Sequence, residues 1–126
     1  MRQRAKELKA EQSAAEARQA VLERIESFDE PDRTNARRIH EIVTTTAPSL
    51  LPRLFYGSPA YANAAGKVIC FFQERAKFKV RYGVFQLFDA AALDEGTMWP
   101  VAFAVTELSE ADARRVADLV RRAVGG

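Results

Sequence analysis

The sequence is short of most residues that do chemistry. Its 126 residues hold one cysteine, one histidine and one tryptophan. A single cysteine cannot close an intramolecular disulfide, and one cysteine with one histidine cannot build a zinc site of the usual Cys/His type. No apolar run approaches the roughly 18–20 residues of a membrane span. The N-terminus is charged and lacks an apolar stretch, so no secretory signal is expected and a cytoplasmic location is. Charge of one sign is scarce too: 19 basic and 17 acidic side chains leave +2. Residues 1–47 and 101–126 are each neutral, and the small excess lies in residues 48–100. Nucleic-acid binders normally carry a strong basic patch, so that partner class is not expected from the total.

What is present is globular. Hydrophobic residues make up 48% and charged residues 29%, and this length suits one domain that needs no staple. Residues 2–26 are rich in Ala, Glu, Gln, Arg and Lys with no Gly or Pro, which predicts a helix. Its first part has only Leu8 as a large apolar residue, whereas Val21, Leu22, Ile25 and Phe28 follow the spacing of one buried face. The expected organisation is therefore a solvated helical extension over 1–18, either a frayed arm or a strut for a partner, and one domain over 19–126.

Pro31 breaks the first helix, and a second is predicted from about Asp32 to Thr46 with Ala36, Ile39, Val43 and Ala47 as its stripe. Leu54 to Tyr56 reads as a strand before a Gly57-Ser58-Pro59 turn, and Tyr61 to Gly66 as a loop. Val68 to Phe72 is apolar on both faces, the pattern of a central covered strand. Lys77 to Phe88 reads as a long strand bent at Gly83, residues 89–96 as a helical turn, and Trp99 to Thr106 as a last strand. Ser109 with Asp112 predicts a capped C-terminal helix whose apolar face is Ala113, Val116, Ala117, Val120 and Val124. The order of elements is that of an α+β fold, an antiparallel sheet packed against N-terminal and C-terminal helices.

Few residues stand out as site candidates. His40 sits at the edge of a helical stripe and Cys70 inside the most apolar strand, positions of packing residues more than of a catalytic pair. No nucleophile motif is present, and nothing in the residues argues for an enzyme. Arg75, Lys77, Lys79 and Arg81 alternate with Ala76, Phe78, Val80 and Tyr82. On a strand, that places cations on one face and rings on the other, which fits a solvated face better than a nucleic-acid platform. Asp29, Glu30 and Asp32 form a small acidic cluster that suits a helix start or, less simply, a hard cation. Tyr56, Pro59, Tyr61 and Trp99 are aromatics and a proline at strand ends. They are expected either to rim the core or to line a cleft with Lys67 or Lys77 as charge partner to an acidic ligand. The ligand is then a small molecule or a protein partner of unknown identity, and the protein a monomer or homodimer.

Three runs resemble the YdhG-like family, a bacterial family of largely unknown function: Tyr56-Gly57-Ser58-Pro59-Ala60-Tyr61, Gly66-Lys67-Val68-Ile69-Cys70-Phe71-Phe72 and Leu93-Asp94-Glu95-Gly96. The resemblance spans roughly residues 35–124. The family carries Met where Ser58 stands and often a Trp near Phe55. The resemblance implies an α+β sandwich of frataxin-like shape. Some members are described as frataxin-like iron chaperones, so it also implies iron as a cargo, with acidic ligands on an exposed helix or sheet edge. Beyond the resemblance, no cofactor is indicated.

Overall fold

The computed structural model describes residues 2–125, with side-chain burial from residue 4. Three α-helices flank a five-stranded sheet: α1 (Arg2–Glu26), α2 (Asp32–Thr46), β1 (Leu51–Phe55), β2 (Ser58–Ala62), β3 (Val68–Gln73), β4 (Gly83–Leu87), β5 (Ala102–Val105) and α3 (Glu110–Ala123). The strands run in sequence order and every neighbouring pair is antiparallel. This is an α+β fold with the sheet packed against helices from both ends of the chain. Among the described residues no helix is long and apolar enough to cross a membrane.

The helices follow their sequence patterns closely. In α1 residues 4–13 are exposed, Ala14 and Ala17 are partly covered, and Val21 and Ile25 are sealed. Leu22, expected on the buried face, is instead 38% exposed, because the true stripe steps by four and three through Val21, Ile25 and Phe28. Ala36, Ile39 and Val43 of α2 are buried as expected. At α3 the Ser109 hydroxyl accepts from the Asp112 amide while the Asp112 carboxylate accepts from the Ser109 amide, a complete capping box. Its buried stripe is Val116, Val120 and Ala123, and Val124 faces out.

The strands depart more from expectation. Tyr56 and Gly57 both have positive φ (50° and 79°), and Phe55 pairs with Ser58 across them. That is a two-residue hairpin turn of the kind whose twist matches its strands. The turn therefore sits one residue earlier than Gly57-Ser58-Pro59, and Ser58 to Ala62 is strand β2 rather than partly loop. Pro59 is tolerated in this interior strand because the β2–β3 register begins at Ala60. A bulge falls at Tyr61/Ala62, and the loop proper is Asn63 to Lys67, where the Asn63 carboxamide oxygen accepts from the amides of Ala65 and Lys67.

The expected strand over Lys77–Phe88 starts only at Gly83. Residues 75–77 form a short 3₁₀ turn and residues 78–82 a loop. Gly83 is no bulge; a Cβ there would lie 2.6 Å from the Phe72 ring on β3, so only glycine lets the two strands close over that ring. Residues 89–96 make turns rather than a helical turn, the first closed by the Ala91 amide on the Phe88 carbonyl.

The core lies between one sheet face and the helices. Tyr61, Cys70, Phe72, Phe85 and Leu87 meet Val21 and Ile25 of α1, Ile39 and Val43 of α2, and Val116 and Val120 of α3. The opposite face carries a smaller cluster, with Phe55, Phe71 and Phe88 edge to face at 5.0–6.2 Å between ring centres. Phe71 is enclosed by these neighbours and is not part of the main core. So β3 is covered on both faces as its apolar run requires, by helices on one side and by its own aromatic neighbours on the other.

Candidate functional site

The six residues expected to share a cleft do not all come together. Tyr61 is 1% exposed in the core, with its hydroxyl 2.9 Å from His40 Nδ1. Pro59 is buried on the same strand. Tyr56 stands 80% exposed at the β1–β2 hairpin tip. Lys77 donates from Nζ to the Tyr56 carbonyl, so these two do meet. Lys67 is exposed in the β2–β3 loop, at the other end of β2. Trp99 is half-buried in the β4–β5 connection. The row of cations is likewise not a strand face, because Arg75 and Lys77 lie on the 3₁₀ turn.

Trp99 does border a groove. A hollow of about 190 Å³ lies between the β4–β5 connection and α3, with apolar walls that include Trp99, Phe103 and Leu119 and a charged lining of Arg115, Arg122, Glu95 and Asp118. A second hollow of about 120 Å³ adjoins it between β5 and α3 and shares Phe103, Arg115 and Leu119. The sheet order makes β5 an edge strand, so one side of its backbone has no partner strand. Ala102 and Ala104 are exposed on it, small enough to let another chain approach.

The charges along the groove differ in availability. Arg122 is shared between Glu95 and Asp118, at 3.8 Å from each. Arg115 has its guanidinium carbon 4.8 Å from the centre of the Phe103 ring. The face of the ring attracts that cation, whose N–H donors suit a carboxylate or phosphate. Each hollow is smaller than the roughly 300–1,000 Å³ of ordinary ligand cavities. Arg115, Phe103 and Leu119 had not stood out in the sequence. The available signal was the spacing of Arg115, Leu119 and Arg122, which sets them along one flank of α3.

Two of the three carboxylates of the acidic cluster, Glu30 and Asp32, are already committed within the fold. Asp32, 3% exposed, accepts from the Arg75 amide at 2.7 Å and from its guanidinium at 3.1 Å. Glu30 accepts from the Thr34 amide and hydroxyl and pairs with Arg33. These bonds pull the Glu30 carboxyl below its usual range. The described residues hold no group of three or more His, Cys, Asp or Glu side chains placed to share a metal ion. The residues present therefore do not fit an iron site at this cluster.

His40 and Cys70 do not form a pair for nucleophilic chemistry. Burial pushes the Cys70 thiol up to about 12, far from a thiolate at neutral pH. Burial, with the Arg18 charge second, lowers the His40 value. A lowered folded value means that the unfolded chain binds the extra proton first, so this contribution to stability is complete above about 6.5 and is lost as pH falls toward the folded value. Urea midpoints should thus drop more between pH 7.5 and 5.5 in the parent than in His40→Gln. Equal drops would remove His40 as a source of acid sensitivity. Comparison of the chain with protein-family models, curated proteins and solved structures finds no match.

Proposed function

We propose that the chain is a non-catalytic binding domain whose groove between β5 and α3 takes an acidic group carried on an apolar body. The observation that carries this is Arg115 over the Phe103 ring, lining both hollows with Leu119, one of them walled by Trp99 as well. Two small adjoining hollows beside an edge strand suit successive side chains of a partner segment better than one enclosed metabolite. Membership of the YdhG-like family is part of this proposal. It is supported by the agreement in α+β architecture, and likeness of shape alone does not transfer iron carriage. A cytoplasmic location also belongs to it, supported by the single, buried free cysteine.

Trp99 is the sole tryptophan, so its emission reports on the groove directly. Titration with phenylacetate and with the dipeptide Asp-Phe should shift that emission. The response should weaken about tenfold in Arg115→Ala, the size of one charge-assisted hydrogen bond. Lys67→Ala should leave it unchanged. An unaltered spectrum with both probes, or an Arg115→Ala protein that responds like the parent, would remove the groove as the binding site.

A further inference from the structure

A second surface lies beyond the groove. Had residues 77–82 been strand, their rings would point to one face and their cations to the other. The structure ends that alternation by starting β4 at Gly83. Rings and cations are then displayed together. Phe78 is 64% and Val80 43% exposed, beside exposed Lys77, Lys79 and Arg81. Lys77 bonds the Tyr56 carbonyl and so ties this loop to the hairpin tip, where the Tyr56 ring is 80% exposed and meets the Phe55 ring edge to face at 4.6 Å. Arg81 lies over the Tyr82 ring, 5.6 Å from its centre.

The loop is held from below. The Arg75 guanidinium, anchored on buried Asp32, donates to the carbonyls of Arg81 and Thr106 at 3.0 Å each. The Val80 amide returns to the Arg75 carbonyl. An exposed Phe at the tip of a clamped loop is presented in a fixed geometry, which lowers the ordering cost of binding.

We propose that the 75–82 loop and the Tyr56–Gly57 tip form a docking surface for single-stranded nucleic acid. The occupant follows from the alternation. Each nucleotide offers one flat ring and one negative charge, and this surface offers exposed Tyr56 and Phe78 and half-buried Tyr82 beside exposed Lys77, Lys79 and Arg81. A bilayer would ask instead for contiguous apolar area, and here cations separate the rings. The weak net charge of the chain does not oppose this, since phosphate contacts act locally within a Debye length.

Anisotropy of labelled twelve-nucleotide oligo(dT) and oligo(U) tests it. At about 50 mM salt, binding is expected in the roughly 1–100 micromolar range. Duplex of the same length should bind more weakly. Three neutralised phosphates predict a slope of log affinity on log salt of about −2. Phe78→Ala and Tyr56→Ala should each weaken binding about tenfold with the slope unchanged. The double variant Lys79→Ala, Arg81→Ala should bring the slope to about −1. All four side chains are exposed, and matching urea midpoints verify that each variant is folded. Arg115→Ala should bind as the parent does, which separates this surface from the groove. No binding up to roughly 100 micromolar overturns the proposal. So does equal affinity for inorganic polyphosphate with no effect of Phe78→Ala, which would mean bare charge attraction. Phe78-dependent binding to phosphatidylserine vesicles without binding to either oligonucleotide would make it a lipid surface instead.

Discussion

Tyr61→Ala is expected to cost about 3–5 kcal/mol of folding stability, the usual range for removing a large buried aromatic ring. The ring is 1% exposed, packed among Cys70, Phe72 and the residues of α1 and α2 that close over the sheet. Tyr61→Phe keeps the ring and removes only the hydroxyl that meets His40 Nδ1 at 2.9 Å, so about 1 kcal/mol is expected. Urea denaturation of the two variants reads the difference directly. A Tyr61→Ala protein within about 1 kcal/mol of the parent would contradict the placement of this ring in the core. The same comparison separates the core from the groove. A Trp99 substitution is expected to act on ligand response, whereas Tyr61→Ala acts on the fold.

Asp32→Ala is expected to cost about 3 kcal/mol, the low end of the ~3–5 range for stripping one partner from a buried ion pair, because the Arg75 side chain is 25% exposed. Asp32 is the base of a chain of contacts. It holds the Arg75 amide and guanidinium, and the guanidinium in turn reaches the carbonyls of Arg81 and Thr106. Its loss leaves a cation beside the core and frees the loop that displays Phe78. The damage should therefore be local as well as global, with faster amide exchange over residues 75–82. Replacing Asp32 and Arg75 together by apolar residues should cost less than Asp32→Ala alone, since no unpaired charge is left behind. If the double variant is the less stable of the two, the pair contributes more than the relief of its own desolvation.

Much of the helical layer was legible because a helix repeats its environment every three to four residues. Ala36, Ile39 and Val43 on α2 and Val116 and Val120 on α3 announce their buried face from spacing alone. The Ser109–Asp112 box is local in the chain and was readable for the same reason. Strand boundaries were less legible. Ser58 to Ala62 looks like a turn because it begins with Ser and Pro, yet φ above zero at Tyr56 and Gly57 places the turn before it. The row from Arg75 to Tyr82 alternates as a strand should. Its geometry is set by Arg75 reaching Asp32, 43 residues away in sequence. The candidate cleft failed to assemble for a related reason. Tyr61 and Trp99 are both aromatics near strand ends, and nothing local distinguishes a ring turned into the core from one turned toward α3.

Composition and periodicity by themselves determined that this is an α+β fold with an antiparallel sheet and helices from both ends of the chain, and that one cysteine closes no intramolecular disulfide. Those properties follow from counts and from patterns within about fifteen residues, which local sterics and hydrophobic burial convert into structure. The tertiary structure alone decided which side chains are available to a partner. It sealed Tyr61, spent Asp32 on Arg75, set Arg115 on Phe103, and left Tyr56 and Phe78 in the open. Each of these depends on contacts between residues far apart in the chain, whose distances are fixed only when the sheet closes against the helices.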